Sequence, residues 1–196
     1  AARGAGFDWG VAAETGPAVA WLHARGVDGC AALAAFVVAT DGVDRTGLRP
    51  RHGGDGWRGA AGLCPVHLGL ALSDHAHALP AGPGWVMNDV IAPVLVLPFA
   101  AALSAQVHAP LSLTPEGGQP VMLDGSGLAG GRDWPDRATL GLRRADTPPP
   151  YVPATTRPDP DPDGWAVLTR FAHRTYAPAT EASRSAGAGP GDADTD

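Results

Sequence analysis

Cys30 to Ala39 is the stretch that most constrains the fold. All ten residues, Cys-Ala-Ala-Leu-Ala-Ala-Phe-Val-Val-Ala, are apolar. Asp28 stands just ahead of it as a helix cap, so the segment reads as a helix from Gly29 to Thr40. A helix that is apolar on most sides has to be covered on most sides. A bilayer cannot supply the cover, because a span needs about 20 apolar residues and no run of eighteen occurs in the chain. The rest of the chain must therefore wrap it, and 196 residues are enough for one domain with a sizeable core.

The expected wrapping is a single α+β domain over 1–196: N-terminal helices, a small central sheet, and a C-terminal amphipathic helix followed by an ordered polar arm. Asp8 caps a first helix, Gly16-Pro17 marks a kink or restart, and Gly26 ends it. Residues 41–62 mix six glycines from Gly42 to Gly59 with Arg45, Arg49, Arg51 and Arg58 and read as a surface loop, with Trp57 as its anchor. Cys64 to Leu79 is open to two readings. Val66, Leu68, Leu70 and Leu72 alternate as in a strand, while Pro65 near the start and the length of the segment favour a helix.

Val94-Leu95-Val96-Leu97, bounded by Pro93 and Pro98, predicts the central strand. Phe99 to Val107 predicts an Ala-rich helix. Leu111–Leu113 and Val121–Leu123 predict a hairpin, and Thr139–Leu142 a further strand, so the sheet runs from Val90 to Leu142. Residues 148–162 form a proline-rich connection. Asp163 is expected to cap the last helix. Its stripe of Trp165, Leu168, Phe171 and Ala172 is expected to pack on the sheet. Residues 187–196 read as a flexible acidic tail.

The charges exclude several functions. All fourteen basic residues are arginine, so lysine nucleophiles and Schiff bases are ruled out, as is the Gly-x-x-x-x-Gly-Lys phosphate loop. A net charge of −6 argues against non-specific nucleic-acid binding. The two cysteines, Cys30 and Cys64, read as free thiols, and a cytoplasmic setting follows. Cys64 precedes a helix start, a position that favours a thiolate, but buried inert cysteines are common. His67, His75 and His77 with Asp74 and Cys64 show no recognised ligand spacing, so neither a metal nor a cofactor is expected.

The richest chemistry lies in the last segment. His173 and Glu181 are the candidate catalytic groups. Arg174, Thr175, Tyr176, Thr180, Ser183 and Arg184 are the candidate substrate-binding groups. Two guanidinium forks suit a carboxylate or phosphate. His173 closes the helix, where the dipole favours an imidazolium, and it can also act as a base. The alternative is a tail docked across the domain by its own hydrogen bonds.

Trp165 to Leu168, His173 to Pro178, Thr180 to Arg184, Gly187-Ala188-Gly189 and the acidic end resemble an uncharacterised, mainly alphaproteobacterial family catalogued as a domain of unknown function. Ala2 to Gly6, Trp9-Gly10, Glu14, Cys64-Pro65, Leu72-Ser73-Asp74 and Val94 to Phe99 extend the resemblance over most of the chain. It implies a shared fold and no mechanism. Three functions stay open: a small-molecule-binding or accessory protein of metabolism, an enzyme acting on a small anionic metabolite, and a small subunit completing a partner's site. The expected partners are a small anionic ligand and a protein partner or second copy, with no nucleic acid and no membrane.

Overall fold

The computed structural model describes residues 1–54, 56–124, 127–131, 133–147 and 159–176. Among them are helices α1 (Trp9–His23), α2 (Gly29–Ala39), α3 (Pro65–Asp74), α4 (Leu97–Gln106) and α5 (Pro162–His173). The strands are β1 (Arg51–Gly53), β2 (Gly56–Arg58), β3 (Trp85–Ile91), β4 (Leu111–Pro115), β5 (Val121–Leu123), β6 (Leu128–Ala129) and β7 (Arg137–Arg144). This is the expected α+β class. No helix of the described residues is long and apolar enough to cross a membrane.

The strands form one sheet in the order β1-β2-β3-β7-β4-β5-β6. β2 and β3 run parallel; the other neighbours are antiparallel. Alternation sends Trp85, Met87, Leu111, Leu113, Leu140 and Leu142 into the core. Val86, between two of them, is exposed. α4 lies against β4 and β5, α3 against α4, and α1 touches α2, α3 and α4. The predicted pairing of Leu111–Leu113 with Val121–Leu123 is present in the β4–β5 register.

The all-apolar segment is helix α2, and the Asp28 carboxylate accepts the Ala31 N–H at 2.9 Å as its cap. α1 continues through Pro17 without a break. α1 and α2 meet closely at Gly29, where a Cβ would fall 2.8 Å from the Val19 carbonyl oxygen. Cys64 to Leu79 resolves to helix α3, with Pro65 in its first turn and Cys64 at its cap.

Three expectations are corrected. Val94–Leu97 is not a strand: Pro93–Val96 is a 3₁₀ turn leading into α4, which carries Pro98 in its first turn. A short apolar run does not separate a buried strand from a buried helix, and prolines that lack ladder donors fit helix starts better. The middle strand of the seven is Arg137–Arg144 instead, and its neighbour Trp85–Ile91 bulges between Met87 and Val90, with Asp89 at φ 57°. Residues 41–62 are more than a surface loop. They contain a 3₁₀ turn, Arg45–Leu48, and the β1–β2 hairpin, with Leu48 and Trp57 buried. Finally, α5 packs on α2 and not on the sheet. Asp161, not Asp163, caps it by accepting the Gly164 N–H at 2.7 Å. Leu168 and Phe171 are buried, but Trp165 is 58% exposed.

Candidate functional site

The N-terminal segment, residues 1–8, folds into tight turns over the helices and is fixed by one buried ring and one guanidinium. Phe7 is buried, 5.9 Å from the Phe36 ring and stacked 5.6 Å from His67. Arg45 lies 4.8 Å over Phe7 and donates to the Ala5 carbonyl at 3.1 Å and to Thr40 Oγ1 at 2.8 Å. Gly4 presses on the end of α5 so closely that a Cβ would overlap the Phe171 carbonyl oxygen. These contacts hold the segment beside α1 and α5.

A cleft of about 520 Å³ opens between the three. Arg3, Trp9, Thr15, Leu33, Thr175 and Tyr176 are among its lining residues. Its two large rings stay in solvent, Trp9 at 76% and Tyr176 at 67% exposure. The Arg3 guanidinium sits 4.6 Å from the Trp9 ring and donates one N–H to the Phe7 carbonyl. An arginine carries five donors, so the fork keeps capacity for an anion. The hydroxyls of Thr15 and Thr175 each give their proton to a helix carbonyl, Ala12 and Ala172, at 2.8 Å. Both therefore face the cleft as acceptors. No carboxylate, imidazole or thiol among the described residues lines it.

The predicted site residues divide into four groups. Thr175 and Tyr176 line the cleft. His173 is exposed outside it, its ring 5.0 Å from that of Tyr176. Arg174 is committed elsewhere: it makes a bidentate pair with Asp41 at 2.7 and 2.8 Å and covers the Phe171 ring at 4.0 Å. That pair holds the Asp41 carboxyl below its ordinary range, chiefly through the hydrogen bond from Arg174. Thr180, Glu181, Ser183 and Arg184 lie outside the described residues. Arg3 and Trp9 went unnoticed as site residues. Their only signal was the Trp9 ring beside Asp8, which stands at the N-cap position of α1 but, contrary to expectation, makes no side-chain cap bond.

The other candidate groups are structural or closed. Cys64 is fully buried, with Sγ 3.2 Å from His67 Nδ1 and 3.5 Å from the His67 N–H. Burial pushes the thiol up to about 11 and lowers the His67 imidazole, so at neutral pH the pair is uncharged and unreactive. His75 bonds the Ala71 carbonyl at 2.9 Å and meets Trp57 edge-on at 5.1 Å. His67, His75, His77, Asp74 and Cys64 do not converge on one point. One donor group does among the described residues: His23, Asp28 and Cys30, with their ligand atoms within 4.8 Å of one another.

A second opening of about 730 Å³ lies beside the β1–β2 hairpin, lined by His52, Trp85 and several glycines and prolines. Among the described residues it offers mostly backbone and ring edges and no guanidinium.

Residues 1–62 supply the Arg3, Trp9, Thr15 and Leu33 wall of the cleft, and Ala172, Thr175 and Tyr176, at and just past the end of α5, supply the opposite wall. No curated protein and no solved structure matches the chain. Residues 1–62, the part that carries the first wall, match the model of a family described as "Protein of unknown function (DUF3726)".

Proposed function

We propose that the protein is a small-molecule-binding or accessory protein of metabolism and that its cleft takes a small amphipathic organic anion. One observation carries this reading: two large aromatic side chains, Trp9 and Tyr176, stay exposed around a cleft that also holds a guanidinium. The two rings border one cleft, and apolar surface grouped around an opening, unlike single scattered residues, is what a ligand groove exposes. The cleft volume falls within the range of about 300–1,000 Å³ usual for small-ligand pockets. The rings take the apolar body of the ligand, and Arg3 takes its carboxylate, sulfonate or phosphate. Thr15 and Thr175, having spent their protons on helix carbonyls, accept from a ligand N–H or O–H. The lack of a proton-transfer pair among the described lining residues favours binding over turnover. Two free thiols suit a reducing, cytoplasmic setting, and the resemblance noted above suits a bacterial source.

Calorimetric titration with naphthalene-2-sulfonate tests the reading, with neutral naphthalene derivatives as the comparison. Saturable binding at one site per chain is expected, weakened at least about tenfold by Arg3→Gln, the loss of roughly one charge-assisted hydrogen bond. No saturable binding, or equal binding of charged and neutral probes, would rule out the anion-binding cleft.

A further inference from the structure

The corner between α1 and α2 gathers one imidazole, one carboxylate and one thiol. His23 is the last residue of α1, Asp28 caps α2, and Cys30 lies in the first turn of α2. His23 and Cys30 are buried, and the Asp28 side chain keeps 25% of its surface in solvent. We propose that His23 Nε2, Asp28 Oδ1 and Cys30 Sγ form a tetrahedral site for a zinc-class divalent cation, with the fourth position open to water on the Asp28 side.

Geometry is the first support. Nitrogen and oxygen ligands about 2.0–2.1 Å from a tetrahedral metal stand about 3.3–3.4 Å apart, and a sulfur at about 2.3 Å stands about 3.5–3.6 Å from either. His23 Nε2 and Asp28 Oδ1 are already 3.4 Å apart. Cys30 offers its Sγ as the third, and the three ligand atoms lie within 4.8 Å of one another.

The support around the ligands is also in place. Asp28 Oδ1 accepts the Ala31 N–H at 2.9 Å, and Oδ2 accepts the Asp161 N–H at 2.7 Å. Both bonds fix the carboxylate, as outer-shell partners of metal ligands do, and leave Oδ1 a second lone pair. His23 Nε2 takes only a long bond, 3.3 Å, from the Cys30 N–H, and that lone pair is the one a metal would claim. The backbone around the site is rigid, since Gly29 is pressed against Val19.

Charge selects the ion. A thiolate and a carboxylate balance one divalent cation, so the loaded site is neutral and suits burial. The N-terminus of α2 favours the two anions, and the C-terminus of α1 favours the cation held by His23. A soft sulfur ligand and a low ligand count exclude calcium and magnesium, which demand six or more oxygens. On binding, the S–H bond of Cys30 breaks, its proton goes to solvent, and a sulfur–metal bond forms with no change in oxidation state.

The test uses the full chain, untagged and stripped with a chelator, titrated with Co²⁺ alone and then with Zn²⁺. One Co²⁺ per chain is expected, with the strong visible bands of a tetrahedral site and a near-ultraviolet thiolate charge-transfer band, both bleached by Zn²⁺. Cys30→Ser should remove the charge-transfer band, while Cys64→Ser should leave it intact. Asp28→Asn, which keeps a capping oxygen and the fold, should weaken Co²⁺ on the order of 10–100-fold. Folded protein that takes up no stoichiometric Co²⁺ would overturn the proposal. So would a charge-transfer band that survives Cys30→Ser or is lost with Cys64→Ser.

Discussion

Leu111, Leu113, Leu140 and Leu142 are sealed in the core beneath the sheet, whereas Trp9 on α1 and Tyr176 just past α5 stay largely in solvent. The two regions are held by different means. The sheet side closes by apolar packing of alternating strand residues against α4. The helical side also packs on apolar side chains, among them Phe7, Leu22, Leu33, Phe36, Leu168 and Phe171, and it adds charged links: Arg45 to Ala5 and Thr40, Arg174 to Asp41, and Asp28 to Asp161. Apolar packing closes the face of the sheet that α4 covers, and the opening beside the β1–β2 hairpin lies away from it. Point links hold three elements together and still leave a cleft between them. The difference teaches why the cleft with exposed rings lies between elements that are joined by point links.

The largest effect that would sharpen this contrast comes from α5. Phe171→Ala should cost about 3–5 kcal/mol in chemical denaturation, because it empties a buried ring site. Trp165→Ala on the same helix should cost less than about 1 kcal/mol, because that ring is exposed. Equal costs would mean that α5 is not seated on α2 by its buried face.

Next comes the pin on the N-terminal segment. Arg45→Met keeps much of the side-chain volume but removes the donors to Ala5 and Thr40. It should cost about 1.5–3 kcal/mol, the usual range for hydrogen bonds from a charged group. It should also weaken naphthalene-2-sulfonate, although Arg45 is not among the lining residues. Unchanged binding with reduced stability would show that the cleft does not depend on this pin.

The sheet side also carries a charged link, and it tests the contrast through pH. Arg137 grips Asp89 at the β3 bulge, with Nη2 to Oδ2 at 2.6 Å, and its hydrogen bond holds the Asp89 carboxyl below its ordinary value. A depressed carboxylate stabilises the fold fully above the unfolded value of about 3.9 and loses that contribution as pH falls through the folded value. The stability difference between wild type and Asp89→Asn should therefore be flat near neutrality and shrink below about pH 4. A difference that grows as the solution is acidified would have the wrong sign for this pair.

The smallest effect concerns Cys64. With its thiol buried and pushed up to about 11, it should not react with a disulfide reagent at pH 8 until the protein is denatured. Rapid reaction in the native state would place that corner in contact with solvent.

Much of the fold was legible from local patterns. Asp28 and the apolar run after it marked α2, Pro65 marked α3, and the Leu111 and Val121 runs marked β4 and β5. Val94–Leu97 was not legible, because four apolar residues between prolines suit a 3₁₀ turn and helix as well as a strand. The partner of α5 was equally hidden: the spacing of Leu168 and Phe171 says that one face is buried, not against what. The site was half legible. The C-terminal segment pointed to Thr175 and Tyr176, but Arg3 and Trp9 join them from the opposite end of the chain. Arg174, the most inviting anion ligand in the sequence, is occupied by Asp41. The His23, Asp28 and Cys30 group escaped notice because no standard motif has that spacing. It forms only where α1 turns into α2.

The central claim is that Trp9 and Tyr176 are two walls of one binding cleft. Intermolecular nuclear Overhauser contacts from bound naphthalene-2-sulfonate test it most directly, with the Trp9 indole assigned through Trp9→Phe. Contacts from one probe molecule to both the Trp9 indole and the Tyr176 ring are predicted, with the sulfonate end toward Arg3. Contacts confined to the hairpin opening around His52 and Trp85, or to only one of the two cleft rings, would contradict the account.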